Sequence, residues 1–187
     1  MHEFTPHSSP VDTGWIEVVA GCMFSGAGTV EIVDSLFGTN AVTGKGHNVG
    51  GYDYCYGGAL YAGASATTIR NCQFLGNTQY GRGTTGGGQN PRVYLRGGAV
   101  YAAGPVSVRD TVVKNQSLYA SVTGDSVGGG IYGANSISLM NVMVMNNFAR
   151  SANGGNLGDG IGASGNLFMT NCTVVKNGMI VSGRQGI

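Results

Sequence analysis

The chain has 187 residues, of which 35 are glycine and 10% are charged, and its formal net charge is +1. This balance gives no sign of nucleic acid or an anionic membrane surface as a partner, and no apolar run reaches the roughly 18 residues of a membrane-spanning helix. Hydrophobic residues make up 42% of the chain, which excludes the apolar-poor composition of a disordered protein. Because glycine far exceeds its usual share of about 7%, we expect short strands joined by many tight turns.

The first residues, 1–14, are predicted to form an N-terminal tail. They lack the basic segment followed by an apolar segment that marks a secretory signal. We therefore expect either that a signal has been removed or that the sequence is a piece of a longer protein. Residues 15–19, "WIEVV", have the composition of a strand and are predicted to belong to an earlier or capping coil.

Five copies of one module follow, each beginning at a glycine or just before one and ending at asparagine. The second copy, residues 57–77, reads "GGALYAGASATTIRNCQFLGN". Module length is nearly constant while the joining segments vary, which is typical of a solenoid. Val, Ile, Thr and Tyr are frequent and glycine interrupts every apolar block, so the pattern indicates strands rather than helices. The coils are predicted to begin near residues 21, 58, 98, 129 and 158.

Three short strands per module predict an all-β fold, a single-stranded parallel β-helix of about five to six coils over residues 15–187. Successive coils of such a fold lie ~4.8 Å apart, so equivalent side chains stack in columns. The closing asparagines are predicted to form one column, because Asn tolerates left-handed backbone at a turn and stacked amides hydrogen-bond to each other. This predicted structural ladder consists of Asn40, Asn77, Asn115, Asn146 and Asn177.

Four tetrapeptides carry a resemblance to a known family: GGAL at 57–60, GGAV at 97–100, FGTN at 37–40 and FLGN at 74–77. They resemble the GGA[ILV] and FxxN repeats of chlamydial polymorphic membrane proteins, and are equally similar to right-handed β-helix repeats of many bacterial surface proteins. The resemblance spans residues 20–177. It implies a right-handed coil, an extracellular or cell-surface location, and the role of a stalk or adhesin.

Two long insertions, residues 41–57 and 78–96, are predicted to be loops that leave the coil at the same corner in consecutive turns. They are rich in Tyr and Arg, which are enriched at recognition surfaces, and rigid scaffolds often present function on loops. We predict that this surface binds a neighbouring subunit, an acidic glycan or a host or cell surface; the alternative is that its tyrosines only pack against the solenoid. The predicted surface consists of Tyr52, Tyr54, Tyr56, Tyr80, Arg82, Arg92, Tyr94 and Arg96.

No cluster of residues in the sequence favours catalysis. The histidines are isolated, and metal-ligand spacings, a nucleophile elbow and a phosphate-binding loop are absent from the sequence. Asp34 and Asp110 share a register two coils apart, but turn capping and solvation are the favoured roles for them. We therefore expect no catalytic residue, metal or cofactor. Cys22 and Cys55 lie near one corner of adjacent coils, which leaves open a disulfide in an oxidising compartment.

The last residues, "GRQGI" at 183–187, are similar to the start of a sixth coil. A β-helix with bare terminal coils exposes strand edges that recruit further strands. Neighbouring coils of a longer chain, or self-association, would cover such ends. The leading hypothesis is an extracellular structural or adhesive protein. The alternatives are a subunit of a self-assembling extracellular filament, and a protein that binds or degrades polysaccharide in the manner of tailspikes and lyases.

Overall fold

The computed structural model describes residues 16–19, 21–26, 28–46, 52–63, 66–83, 92–152 and 154–178. Over these residues the chain is all-β, with 22 strands, and every pairing between strands is parallel. No helix long and apolar enough to cross a membrane is found in this described part. The predicted N-terminal tail and the "GRQGI" segment lie outside it.

The strands form four parallel sheets, numbered here in the order in which the chain first enters them. The first sheet contains, in spatial order, β1 (Ile16–Val19), β6 (Tyr52–Tyr56), β11 (Arg92–Arg96), β15 (Ser126–Val127) and β19 (Asn156–Leu157). The second sheet contains β2 (Met23–Ser25), β7 (Leu60–Ala62), β12 (Val100–Ala102), β16 (Ile131–Gly133) and β20 (Ile161–Ala163).

The third and fourth sheets are built in the same way. The third contains β3 (Thr29–Val33), β4 (Leu36–Gly38), β8 (Ala66–Arg70), β9 (Gln73–Leu75), β13 (Val106–Lys114), β17 (Ile137–Met145), β21 (Leu167–Thr170) and β22 (Thr173–Val175). The fourth contains β5 (Ala41–Gly46), β10 (Thr78–Gly83), β14 (Ser117–Ala120) and β18 (Phe148–Ser151).

The chain passes through the four sheets in a fixed order, and each strand joins its counterpart from the previous pass. Among the described residues there are four full passes and a fifth through the first three sheets. The register is constant: Leu60 pairs with Val100, Val100 with Ile131, and Ile131 with Ile161. Equivalent residues of successive passes therefore stand in columns.

The prediction of long loops at 41–57 and 78–96 is wrong for much of their length. Each segment contains a strand of the fourth sheet followed by a strand of the first sheet. Two glycines in these strands are interior positions: Gly44 and Gly81 are buried, and a Cβ on them would lie 2.5 Å from Cys55 Sγ and from Val93 Cγ1 respectively. The first and fourth sheets approach so closely that only glycine fits at these two points.

Within the described ranges the interior contains two apolar clusters. The larger lies between the second and third sheets, and the smaller, which includes Val42, Leu95 and Leu118, lies between the first and fourth. In the larger cluster Phe37 and Phe74 stack face to face with ring centroids 4.8 Å apart. Each large apolar side chain buried in this way stabilises the fold by about 1.5–3 kcal/mol. The core is therefore continuous along the direction in which the passes stack.

Columns of residues with positive φ bend the chain between strands. One column lies inside the third sheet and consists of Asp34, Asn71, Asp110, Asn141 and Asn171. A second lies at the end of the third sheet and consists of Thr39, Gly76, Asn115, Asn146 and Lys176. A third separates the first and second sheets and consists of Gly57, Gly97, Gly128 and Gly158. Asn and Gly predominate because they adopt left-handed backbone at the lowest cost.

Candidate functional site

An amide row runs along the corner between the third and fourth sheets. Each of the first four members donates its backbone N–H to the side-chain oxygen of the member in the next pass, over 2.9–3.1 Å. The last four members also donate their amide nitrogens to backbone carbonyls of the third sheet, over 2.6–3.1 Å. The row consists of Asn40, Asn77, Gln116, Asn147 and Asn177. These amides fasten successive passes to one another, so the role of the row is structural.

The predicted ladder requires a correction at Asn115 and Asn146, which are not members of this row. Both are exposed, and both have positive φ, 60° and 53°. The residue that follows each of them, Gln116 or Asn147, supplies the buried amide instead. Asn115 and Asn146 occupy the left-handed position that Thr39 occupies one residue before Asn40.

The structure does not join Cys22 to Cys55. Both are free thiols, and Cys55 is completely buried whereas Cys22 is exposed. Cys55 faces the interior in one column with Leu95 of the first sheet, while at the next corner the backbone N–H of Cys22 donates to the Ala59 carbonyl. Burial, reinforced by the carboxylate of Asp53, raises the pKa of the Cys55 thiol to about 12. Cys55 is therefore an inert interior thiol.

A long tyrosine row covers the outer face where the first and second sheets meet. Its rings stack between register partners, with centroids 5.1 Å apart for Tyr54 and Tyr94, and 5.2 Å apart for Tyr61 and Tyr101. Tyr56 bridges the glycine corner, 4.4 Å from Tyr101. The row consists of Tyr54, Tyr56, Tyr61, Tyr94, Tyr101 and Tyr132. The ring contacts are stacked except for the tilted ones that Tyr56 makes with Tyr61 and Tyr101. The row therefore presents mainly ring edges and hydroxyl groups, with few free faces on which sugars or bases could stack.

Contacts at the end of the row make it largely self-contained. Tyr101 and Tyr132 are only 8% and 7% exposed although they point outward. Arg96 lies over Tyr132 at 5.3 Å from the ring centroid, and the Tyr132 hydroxyl is 2.6 Å from Ser164 Oγ. Burial and the neighbouring Tyr61 raise the pKa of Tyr101. The tyrosines of the row therefore pack against one another and against Arg96.

A separate arginine–tyrosine patch lies on the outer face of the fourth sheet. Tyr80 and Tyr119 are register partners and stack with centroids 5.4 Å apart. Arg82 covers Tyr80 at 4.9 Å from its centroid, and Arg150 covers Tyr119 at 5.7 Å. The patch consists of these four residues. Tyr119 and Arg150 are absent from the predicted surface, because only the register between passes shows that they stand beside Tyr80.

The structure therefore divides the predicted surface between two sheets. Tyr54, Tyr56, Tyr94 and Arg96 join the long row, whereas Tyr80 and Arg82 belong to the patch. Arg92 is exposed at the start of β11, where it pairs in register with Tyr52 of β6. The side chain of Tyr52 lies outside the described part.

The carboxylates of the third-sheet corner are held by amides. Asn71 Nδ2 donates to Asp34 Oδ1 over 2.7 Å, and Asn141 Nδ2 donates to Asp110 Oδ1 over 2.6 Å. Asp34 and Asp110 thus serve as turn residues within one column, and a bonded amide separates them. Within the described ranges no group of three or more His, Cys, Asp or Glu side chains is placed to hold a metal ion.

Comparisons with known proteins give no relative from which a role can be transferred. No protein-family model matches the chain, and neither a curated protein nor a solved structure shows significant similarity to it.

Proposed function

We propose that the chain is a right-handed, single-stranded parallel β-helix of five to six coils, part of an extracellular or cell-surface protein with a structural or adhesive role. The observation that carries this proposal is the fixed order in which the chain passes through four parallel sheets. A chain that adds each strand to the strand of the previous pass describes a coil. Right-handed connections are the normal sense between parallel strands.

A structural role is supported by the way in which the passes are joined. The amide row, the stacked Phe37 and Phe74 and the long tyrosine row all connect one pass to the next. Each stacked ring pair contributes about 0.5–1.5 kcal/mol beyond its buried area. Such a stack resists bending and separation of its coils, which suits a stalk that holds a binding surface away from a cell.

Antibodies against the folded chain test the proposed location. Labelling of intact source cells is the expected result, and labelling that requires permeabilised cells would contradict it. Beads coated with the chain test the adhesive role: they should be retained on cell surfaces under flow, with beads carrying the heat-unfolded chain as control. Equal retention of both kinds of bead would argue against adhesion by the folded surface.

A second candidate, the filament subunit, is favoured by β21, which lies at the edge of the third sheet among the described residues. Leu167 and Met169 occupy interior columns, yet they are 37% and 39% exposed, whereas their register partners Ile137 and Leu139 are 0% and 1% exposed. A parallel strand from a second copy would cover them. Sedimentation and electron microscopy over a range of concentrations test this: fibres that Leu167→Glu abolishes support it, and a concentration-independent monomer refutes it.

A further inference from the structure

We propose that the arginine–tyrosine patch is a binding site for an acidic polysaccharide, which carries carboxylate or sulfate groups at intervals along its length. This inference rests on the proposed function, because it names the ligand class of an adhesive surface. The patch is the outer face of the fourth sheet around Arg82, Tyr80, Tyr119 and Arg150.

The first support is that the two guanidinium groups are positioned over rings and form no ion pair with any residue in the described ranges. Arg82 and Arg150 are exposed, and each lies over a tyrosine ring. The ion pair that the described part contains, Arg70 with Glu31, belongs to the third sheet. A guanidinium stacked on a ring keeps its in-plane N–H donors free for bidentate contact with a carboxylate or sulfate. Stacking also restricts the arginine rotamers before a ligand arrives, which lowers the entropy cost of binding.

The second support is the segregation of charge. The four strands of the fourth sheet contain no Asp or Glu at any position, and Lys45 is the register partner of Arg82. Asp159 accepts a hydrogen bond from Ala149 of β18, but it is only 6% exposed. The charged residues in the strands of the fourth sheet are therefore all positive, and they attract anions.

The third sheet provides the contrast. Its outer face and corner carry Glu31, Asp34 and Asp110 among Arg70 and Arg109. The whole chain has a net charge of +1, but this charge is unevenly distributed. The charged residues in the strands of the fourth sheet are only positive, whereas the third sheet carries charged residues of both signs.

The third support is the spacing of the two arginines, which favours a polymer over a small anion. Arg150 lies two strands from Arg82 and is in register with Tyr80, two residues before Arg82 on β10. From strand and residue spacings the two backbone positions are about 12 Å apart. Repeated acidic groups on one polymer chain can contact both guanidinium groups at this spacing while each stays over its own tyrosine ring.

Ring geometry favours a polysaccharide over a nucleic acid. Proteins that bind single strands use free aromatic faces on which bases stack. Here the face of Tyr80 is occupied by Tyr119 and Arg82, and Tyr119 is covered by Tyr80 and Arg150. The tyrosine hydroxyls at the ring edges are hydrogen-bonding groups that suit sugar hydroxyls.

Equilibrium binding to immobilised probes tests the site: polygalacturonate and dextran sulfate as acidic polymers, dextran as the neutral one, and single- and double-stranded DNA. We expect binding to the acidic polymers that weakens as salt rises, and none to dextran. Arg82→Ala/Arg150→Ala should weaken binding about tenfold or more, since two exposed charge contacts are lost. Arg109→Ala/Lys114→Ala removes the same charge from the third sheet and should change the affinity less than twofold.

Three results would overturn the proposal: equal losses in the two double variants, equal binding to dextran, or tighter binding to DNA than to the acidic polysaccharides. Circular dichroism and thermal unfolding of each variant confirm that it remains folded. If antibodies detect the chain on intact cells but the folded chain binds no acidic polymer, only the proposed binding site is refuted. If antibodies do not detect the chain on the surface of intact cells, the proposed function is refuted instead.

Discussion

Gln116 and Asn77 are joined by two hydrogen bonds to a single acceptor. Gln116 Oε1 accepts from the backbone N–H and from Nδ2 of Asn77, over 2.9 Å each, and both side chains are completely buried. Gln116 Nε2 donates in turn to the carbonyls of Phe74 and Lys114. Because this amide uses its donors and its acceptor inside the protein, it links the second and third passes without leaving a buried polar group unsatisfied.

Replacing this amide should destabilise the fold strongly. Gln116→Leu removes the acceptor for two buried donors of Asn77 while retaining most of the side-chain volume. Unsatisfied buried groups cost about 1–3 kcal/mol each, so we expect a loss of roughly 2–4 kcal/mol. Urea unfolding followed by circular dichroism measures it.

The neighbouring residue provides the control. Asn115 is exposed with φ of 60°, so Asn115→Gly keeps the left-handed backbone and should change the free energy of unfolding by less than about 1 kcal/mol. If Asn115→Gly lowered the free energy of unfolding more than Gln116→Leu does, Asn115 would be the member of the amide row and the observed register would be contradicted.

The sequence predicts the all-β character, because Val, Ile, Thr and Tyr are frequent and glycine interrupts every apolar block. The apolar residues that follow paired glycines, Leu60, Val100 and Ile131, are register partners in the structure. The sequence misplaces the amide row in two passes because Asn is favoured for two different reasons at adjacent positions. At Asn115 and Asn146 it satisfies a positive φ, and at Asn147 it satisfies hydrogen bonds. The presence of Asn in the sequence does not show whether it is there for a positive φ or for side-chain hydrogen bonds.

The surface was predicted less well than the interior. The segments 41–57 and 78–96 contain a concentration of tyrosines, but the distribution of these tyrosines over two sheets depends on where β5 and β10 lie. At one interior position in each of β5 and β10, where a strand pattern has an apolar residue, the chain has the buried glycines Gly44 and Gly81. The sequence pattern therefore does not indicate these two strands. Partners such as Arg150 stand far away in the chain and meet Tyr119 only through the register of β14 and β18.

A glycine at the corner between the first and second sheets should not tolerate a side chain. Gly97 has φ of 69°, and a Cβ on it would collide with the backbone carbonyl of Val100. Gly97→Ala should therefore cost about 1–3 kcal/mol. Gly38, where a Cβ would meet open space, is the matched control, and Gly38→Ala should be neutral or stabilise by up to about 1 kcal/mol. Thermal unfolding of both variants checks this, and equal effects would refute the corner geometry.

The four thiols should differ in reactivity according to their burial. Cys22 is exposed and Cys172 half-buried, while Cys72 and Cys55 are 1% and 0% exposed. At pH 8 we expect Cys22 to react first with iodoacetamide, and Cys55 and Cys72 to react only after unfolding, because burial also holds the Cys55 thiol protonated. Mass spectrometry of peptides from timed samples measures this order. A Cys22–Cys55 disulfide, seen as an unlabelled pair that reduction releases, would contradict the structure.

Asp159 accepts a hydrogen bond from β18, the edge strand of the fourth sheet among the described residues. Its carboxyl group should make the free energy of unfolding depend on pH. Its Oδ1 accepts the backbone N–H of Ala149 over 2.9 Å, a donor that points away from the other strands of the sheet. Burial raises the pKa of Asp159 in the folded protein, an effect that its backbone hydrogen bonds only partly offset. The folded state therefore binds this proton more tightly than the unfolded state does. Above the folded pKa the buried charge destabilises the fold, and the penalty is relieved as pH falls through that pKa.

Asp159→Asn should consequently be more stable than the parent chain at pH 7, since the amide oxygen still accepts from Ala149 and the buried charge is gone. The difference in free energy of unfolding should shrink as pH falls, because protonation removes the same charge from the parent. Urea unfolding at several pH values between 7 and 4 measures this difference. Asp110→Asn, an exposed change of the same chemistry, controls for the loss of one negative charge. An Asp159→Asn variant that is less stable at pH 7, or a difference that does not vary with pH, would show that the carboxylate itself stabilises the edge of the sheet.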